Sequence, residues 1–184
     1  MLKGSKAIIW DSEFTAWEGS MFRNWSGEGE HRELVQIGAI LVDSETLDEL
    51  DNFLIFIKPT INPVVSKYFT DLTGISQEQI DSQGVYFAKA MSLLKDFFND
   101  FTCYSYGSDE RVLEENCVMN EISFPFDQGK FEDVRKIFQT AGIDTVRYQS
   151  GTIVKAFGKE PRVRGHDALN DARIIADGLR FIKK

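Results

Sequence analysis

Short apolar, β-branched runs separated by polar connections open the chain, a pattern typical of strands. Residues 7–10 form an apolar run that ends at Asp11. Residues 33–42 are apolar enough for a central strand. Residues 50–57 follow after a turn-like stretch and are expected to pair with that strand as a hairpin. Pro59 and Pro63 then predict an irregular stretch.

Helical spacing of apolar residues dominates the second half of the chain. A short strand is predicted at residues 102–106 and breaks at Gly107, and Asp167 is placed to cap the last helix. The predicted helices cover residues 85–98, 110–119, 131–140, 151–157 and 168–181.

This order of elements predicts an α/β fold in which a mixed sheet is flanked by helices. Active sites in such folds lie at the carboxyl ends of strands. Asp11 and Asp109 both directly follow a predicted strand end. The chain has 184 residues and no repeat or linker-like break, so residues 1–184 are expected to form one domain.

Composition excludes several classes of protein. Hydrophobic residues make up 42% of the chain, but no apolar run approaches the roughly 20 residues that span a bilayer. We therefore expect no membrane association, and the N-terminal residues lack a signal-peptide core. Cys103 and Cys117 have no Cys or His at ligand spacing, which predicts neither a zinc site nor a disulfide framework. A cytoplasmic location is the default prediction.

The net charge of −8 argues against a protein that grips long nucleic-acid duplexes, because phosphate neutralisation dominates that affinity. It does not argue against a short strand end held through metal ions. Positive charge concentrates late in the chain, where it forms either a solvated surface or a phosphate contact. The residues of this basic cluster are Arg147, Lys155, Lys159, Arg162, Arg164 and Arg173.

Five polar residues carry the candidate chemistry. Asp11 and Glu13 alternate on an extended segment, so their carboxylates point to the same side and repel unless a cation lies between them. Taken singly, Asp109 is compatible with a helix cap, His166 with a loop position and Asp171 with an exposed helix face. No single member of the set identifies a function.

Together, the five residues supply the parts of two-metal phosphodiester hydrolysis. That reaction needs several hard oxygen ligands from different elements, and four carboxylates balance the charge of two divalent cations. A neutral histidine beside them can take a proton from the attacking water, because its pKa lies near working pH. The sequence therefore predicts a hydrolase that acts on a phosphodiester.

Three segments resemble the exonuclease motifs of the DEDDh, or DnaQ-like, superfamily, and the His-x-x-x-x-Asp spacing of the third is the DEDDh form. Residues 34–38 and 72–75 also match the superfamily pattern, and residues 69–81 resemble the Eri-type RNA exonucleases, which include KapD-like bacterial proteins. The resemblance covers roughly residues 6–180. The three motifs are Trp10-Asp11-Ser12-Glu13-Phe14-Thr15, Tyr106-Gly107-Ser108-Asp109 and His166-Asp167-Ala168-Leu169-Asn170-Asp171-Ala172.

The resemblance implies a ribonuclease H-like fold with a five-stranded mixed sheet. It also implies a 3′→5′ exonuclease that needs two Mg²⁺ or Mn²⁺ ions and releases nucleoside 5′-monophosphates from single-stranded 3′ ends, RNA being favoured over DNA. By the same resemblance, His166 is the general base, and Glu13 shares the catalytic role. The metal ligands it implies are Asp11, Glu13, Asp109 and Asp171.

The resemblance further implies a substrate-binding set. Phe14 and Thr15 would meet the terminal nucleotide, and Leu72 and Thr73 would line its base and sugar, with Leu72 wedged against the last base. Ordinary core packing is the alternative for Phe14 and Leu72, and the substrate role is preferred.

Two further functions are compatible with the same residues. A DNA 3′-exonuclease of the proofreading or repair type would use the same fold and metals. A regulatory protein without turnover would retain only the fold, since a fold alone does not determine function. The loop over residues 18–32 is either a lid or a disordered excursion. The oligomeric state cannot be predicted from the sequence.

Overall fold

The computed structural model describes residues 1–183 and contains one mixed sheet of five strands in the order β3-β2-β1-β4-β5. Strands β1 to β3 pair antiparallel, whereas β4 is parallel to both β1 and β5. The fold class predicted from the sequence is confirmed. The strands are β1 (Lys6–Phe14), β2 (Leu34–Asp43), β3 (Glu49–Phe56), β4 (Cys103–Ser105) and β5 (Phe131–Asp133).

Helices cover both faces of this sheet and, within the described residues, enclose two large apolar cores and a smaller one of Val35, Phe69, Ile75 and Ile80. The first core lies between the sheet and helices α3 and α4, and the second lies between the sheet and helix α6. Within the described residues, no helix is long and apolar enough to cross a membrane. The helices are α1 (Lys67–Thr73), α2 (Gln77–Gln83), α3 (Phe87–Phe98), α4 (Asp109–Met119), α5 (Arg135–Thr140), a 3₁₀ helix (Ser150–Phe157) and α6 (Ala168–Lys183).

The alternation of side chains along β1 connects the cores to the polar end of the strand. Ile8 and Trp10 point into the first core, whereas Ala7 and Ile9 point into the second core, beneath α6. A strand places every second residue on the same face. Asp11 and Glu13 continue the series of Ala7 and Ile9, so both carboxylates emerge on the α6 side.

The start of α6 is held against β2 by a glycine and a glutamine. A Cβ atom at Gly38 would lie 2.1 Å from the backbone nitrogen of Leu169, so only glycine permits this approach. Gln36 accepts a hydrogen bond from the backbone N–H of Ala168 at 2.8 Å and donates to Asp167 at 3.2 Å. Asp167 also accepts from the backbone N–H of Asn170 at 2.9 Å, which confirms its predicted capping role.

Two predicted strand ends were wrong. Strand β1 continues past residue 10 to Phe14, so Asp11 lies inside the strand and does not follow it. Strand β4 ends at Ser105, and Asp109 is the first residue of α4. The end of β1 was predicted too early because the residues after Trp10 are polar and do not continue the apolar run. The strand itself continues, since it pairs with β2 through its backbone whatever its side chains are.

Two local predictions missed three short elements. The helix predicted over residues 131–140 is in fact β5 followed by α5, because three residues are too few to display strand alternation. Helices α1 and α2 occupy the predicted irregular stretch. The start of α2 could have been predicted from the capping box of Ser76 and Gln79. Its seven residues are too few to show clear helical periodicity.

Replacing Gly38 by alanine tests the close contact between β2 and α6. The added methyl group would overlap the backbone of α6, which cannot move like a side chain, so Gly38→Ala should destabilise the protein by about 3 kcal/mol. Urea unfolding measures this loss. Gly27→Ala is the matched control, because its methyl group would meet only the flexible end of Glu30. Equal stability of the two variants would contradict the assigned contact.

Candidate active site

A cleft of about 550 Å³ lies where the carboxyl ends of β1 and β4 meet α1, α4 and the start of α6. Thr15 is buried beside it, where its hydroxyl donates to the carbonyl of His31 and accepts from the N–H of Glu33. Of the nine residues nominated from the sequence, eight line this cleft: Asp11, Glu13, Phe14, Leu72, Thr73, Asp109, His166 and Asp171.

Three separate elements bring the four carboxylates together. Asp11 and Glu13 come from β1, Asp109 from the first turn of α4 and Asp171 from the first turn of α6. All four residues are at most 9% exposed. Ligand atoms of Glu13, His166 and Asp171, one from each residue, lie within 4.8 Å of one another. The side chains thus converge although their positions span most of the chain.

The four carboxylates lack basic partners, since no ion pair of the described residues includes any of them. Oδ1 of Asp171 is buried and accepts no hydrogen bond from the described residues. Glu33 is buried to a similar degree but accepts backbone N–H groups of residues 60–62. A buried carboxylate can therefore be fully satisfied in this fold, whereas Oδ1 of Asp171 in the cleft is not.

Burial and mutual repulsion both oppose ionisation in the cleft. Burial raises the pKa of Asp11 well above its usual value, and the charges of Asp109, Asp171 and Glu13 raise it further. Burial also raises the pKa of Asp171 to about 7 and that of Asp109 to about 6. A divalent cation would relieve both effects, and hard carboxylate oxygens are the ligands that Mg²⁺ and Mn²⁺ prefer.

Two serines that the sequence interpretation missed bind these carboxylates. Ser12 Oγ donates to Oδ1 of Asp109 at 2.5 Å, and Ser150 Oγ donates to Oδ2 of Asp171 at 3.2 Å. A hydrogen bond from Ser150 also lowers the pKa of Asp11. Ser12 lies inside the first motif and could have been noticed. Ser150 comes from the 3₁₀ helix, and no motif marks it.

His166 lies at the rim of the cleft with an exposed side chain and a backbone φ of 60°. Its backbone N–H donates to Oδ2 of Asp171 at 3.3 Å, which fixes the loop next to the carboxylate. Burial and the nearby charge of Arg164 lower the pKa of its imidazole. The ring is therefore neutral at neutral pH and able to accept a proton.

The wall near β2 is apolar and firmly held. Phe14 contacts Trp25 edge-on with 5.3 Å between ring centroids, and Leu72 and Thr73 line the cleft from the end of α1. Arg164 contacts the carbonyl oxygen of Leu72 at 3.3 Å. Arg164 thus joins the end of α1 to the loop that carries His166.

The loop over residues 18–32 borders the cleft and is tied to the rest of the fold. The indole N–H of Trp25 donates to the carbonyl of Thr15 at 2.9 Å, and Asn62 donates to the carbonyl of Gly29 at 2.9 Å. Arg32 lies over the Trp25 ring with its Cζ 5.3 Å from the centroid. These contacts favour a wall of the cleft over a disordered excursion.

None of the six residues of the basic cluster lines the cleft. Lys155 pairs with Glu160 and Arg173 with Glu49, while Arg147 lies over the ring of Tyr148. Among the described residues, the arginines that line the cleft are Arg32 and Arg135, which the sequence interpretation did not nominate. The cluster therefore fits the interpretation of a largely solvated surface.

Comparison with known proteins gives one family and several relatives. The model of the family RNase_T, described as "Exonuclease", matches residues 8–179. The "Probable 3′-5′ exonuclease KapD" of Bacillus subtilis (strain 168) is 25% identical over 169 residues, covering 90% of this chain and 78% of that protein. The "3′-5′ exoribonuclease 1" of Rattus norvegicus is 24% identical, covering 96% of this chain. This chain spans 54% of the rat protein, about half its length.

Solved structures with the same fold include nucleases with bound nucleotides. The nuclease domain of 3′hExo, a DEDDh family member bound to rAMP, superposes with a TM-score of 0.85 at 21% identity, covering 98% of this chain and 92% of that one. A zinc-bound ExoI–ssDNA complex of E. coli gives a TM-score of 0.73 at 14% identity, covering 98% of this chain and 41% of that one. At these identities the likeness shows the ribonuclease H-like fold of the DEDDh nucleases.

The raised carboxylate pKa values predict how stability depends on pH in metal-free buffer. Asp109 and Asp171 keep their protons to a higher pH in the folded state than in the unfolded chain, where carboxyl groups titrate near pH 4. Their stabilising contribution is complete below about pH 4 and is lost as the pH rises through about 6 and 7. Urea unfolding in the presence of a chelator should show this loss.

Substitutions show whether the carboxylates of the cleft cause this loss of stability with rising pH. Asp171→Asn should reduce the loss of stability between about pH 5 and about pH 7.5, because it removes one of the repelling charges. Asp96→Asn is the control, since Asp96 is exposed on α3 outside the cleft. If Asp171→Asn keeps the pH dependence of the parent protein, the carboxylates of the cleft do not cause it.

Proposed function

The chain belongs to the RNase_T exonuclease family, as a DEDDh 3′→5′ exonuclease of the Eri and KapD type, and from this premise we propose how it acts. It removes nucleoside 5′-monophosphates one at a time from the single-stranded 3′ end of RNA, with two divalent ions in the cleft. The observation that carries this proposal is the convergence of four buried carboxylates and one histidine on a single cleft. The proposal also includes one exonuclease domain over residues 1–184 and a cytoplasmic location.

Asp11, Glu13, Asp109 and Asp171 would hold the ions, which we propose to be Mg²⁺ or Mn²⁺. The donor set fits such ions, because it consists of hard oxygens without basic partners and includes the unsatisfied Oδ1 of Asp171. The bound ions would supply charge neutralisation and polarisation of the scissile phosphate. Ser12 and Ser150 orient two of the carboxylates, and Oδ1 of Asp171 remains available for coordination.

His166 acts as the general base. Its imidazole is exposed at the rim and neutral at working pH, so it can accept a proton from a water that attacks the phosphorus. Glu13 lies within 4.8 Å of it and shares the catalytic role. The bond between the backbone of His166 and Asp171 ties the base to a carboxylate of the site.

The terminal nucleoside is held by the wall of Phe14, Leu72 and Thr73. An aromatic face against a base contributes roughly 1–3 kcal/mol whatever the base, which suits trimming that is indifferent to sequence. We propose a supporting role for Thr15 in place of a contact with the nucleotide, because its hydroxyl is hydrogen-bonded to the carbonyl of His31 and the N–H of Glu33. Thr15 supports Phe14 and the loop beside it and does not touch the nucleotide.

RNA is the preferred substrate because the named relatives include an exoribonuclease and the nuclease domain of 3′hExo is bound to rAMP. A DNA 3′-exonuclease is the second candidate, since the E. coli ExoI–ssDNA complex has the same fold. A regulatory protein without turnover is disfavoured, because all five residues are present and converge on the cleft.

Matched RNA and DNA oligonucleotides test the proposed substrate. With Mg²⁺, the protein should release mononucleotides from the 3′ end of RNA faster than from DNA of the same sequence. Asp171→Asn should abolish both activities, because it removes an ion ligand, whereas Asp96→Asn should retain them. Faster hydrolysis of DNA would favour the second candidate, and full activity of Asp171→Asn would contradict the ligand assignment.

The two histidines of the chain form a matched pair for testing the general base. His166→Ala should lower kcat by roughly 10²–10⁴-fold, the usual contribution of a general base, with little change in KM. His31→Ala should retain activity, because His31 is exposed and contributes only its carbonyl oxygen to the fold. A rise in KM with unchanged kcat for His166→Ala would make this residue a substrate binder.

A further inference from the structure

Two arginines line the cleft of an otherwise acidic protein, and their surroundings differ. The guanidinium of Arg32 lies over the Trp25 ring and pairs with Glu115, and its side chain is only 14% exposed. Arg135 is also paired, with Asp133, but its side chain is 40% exposed. Arg135 is the first residue of α5 and lines the cleft on the side of the edge strand β5. Its charge plays no part in the function proposed so far.

The guanidinium of Arg135 is oriented by its neighbours. Its Nε and Nη2 donate to the carboxylate of Asp133, the Nη2 bond being 2.7 Å long. It also packs on Gly107, where an added Cβ would lie 3.5 Å from its Cζ. Within residues 1–183, no protein group accepts a hydrogen bond from Nη1, and the side chain is 40% exposed. One edge of the guanidinium is fixed and the other is free.

The order of the strands sets Arg135 apart from the proposed nucleoside wall. Phe14 ends β1 beside β2, whereas Arg135 follows the edge strand β5, with β4 between β1 and β5. Asp109 lies on the same side as Arg135, whose charge lowers the pKa of that carboxyl group. The carboxylates therefore lie between the nucleoside wall and Arg135.

A phosphodiester joins two nucleosides that extend in opposite directions from its phosphorus. When the terminal nucleoside rests on Phe14 and the scissile phosphate on the carboxylates, the upstream strand leaves on the side of α5. We propose that Arg135 binds a backbone phosphate of this upstream strand through Nη1. This inference rests on the proposed function and adds a subsite that makes an oligonucleotide a better substrate than a mononucleotide ester.

An exposed apolar residue on the segment after α5, which Gln139 of α5 holds through a hydrogen bond to Thr145, completes the subsite. Val146 lines the cleft although it is 93% exposed. The hydroxyl of Tyr106 donates to the carbonyl of Tyr148 and lies 3.4 Å from that of Thr145, so this segment is held against the cleft. Val146 therefore offers an apolar surface for the upstream base in the same cleft as Arg135.

Two substrates separate the upstream contact from the chemistry. A single-stranded oligonucleotide reaches the subsite, whereas the p-nitrophenyl ester of a nucleoside 5′-monophosphate has no upstream nucleotide. In Arg135→Gln, the ratio of kcat/KM for the oligonucleotide to kcat/KM for the ester should fall about three- to tenfold, because one charged phosphate contact is lost. The salt dependence of log KM for the oligonucleotide should weaken by a slope of about 0.7.

Three variants control for charge and packing. Lys136→Gln removes the same charge from an exposed position of the same helix outside the cleft, and should leave the ratio unchanged. Arg135→Lys keeps the charge but loses the fork that Asp133 orients, so it should recover most of the salt slope but only part of the ratio. Val146→Ser should lower the ratio without changing the salt slope, because it removes apolar contact and no charge.

The outcomes distinguish the subsite from the proposed function. If the unmodified protein hydrolyses neither substrate, the proposed function fails. If it hydrolyses both but Arg135→Gln lowers both values of kcat/KM equally, or leaves the salt slope unchanged, the upstream subsite is overturned while the proposed function stands.

Discussion

The repulsion among four buried carboxylates is the constraint on which the rest of this structure depends. Asp11, Glu13, Asp109 and Asp171 are at most 9% exposed and form no ion pair within the described residues. Such an arrangement opposes folding, and the remainder of the fold has to compensate for it. Glu33 shows the ordinary solution for a buried carboxylate, in which backbone N–H groups satisfy its oxygens. The four carboxylates without basic partners are therefore better explained by function than by stability.

The contacts that offset the repulsion among the carboxylates are concentrated where α6 packs on the sheet. Gly38 lets the helix backbone approach β2, and the side-chain amide of Gln36 binds both Ala168 and Asp167 at the start of the helix. The apolar residues of α6 then fill the second core, one turn after another. Because the first turn of α6 also carries Asp171, the contacts that hold the helix determine where that carboxylate lies.

Much of the fold and most of the candidate site could be predicted from the sequence. Strand alternation correctly placed Asp11 and Glu13 on one face, and the motif order predicted which side chains converge. The short elements β5 and α1 could not be predicted, because they have too few residues to show periodicity, although the equally short β4 was predicted. Ser150 and Arg135 could not be nominated from the sequence for a different reason. Each reaches the cleft through tertiary packing, and no local sequence pattern marks either one.

The position of α6 along the chain has a consequence for synthesis in the cell. His166 and Asp171 are translated after Asp11, Glu13 and Asp109, and domains form their long-range contacts only once the participating segments have emerged from the ribosome. Until α6 packs on β2, only three of the four carboxylates are in place, and the loop that carries His166 is not held beside Asp171. Formation of the complete carboxylate cluster is therefore coupled to the docking of α6, and a partly folded chain does not contain it.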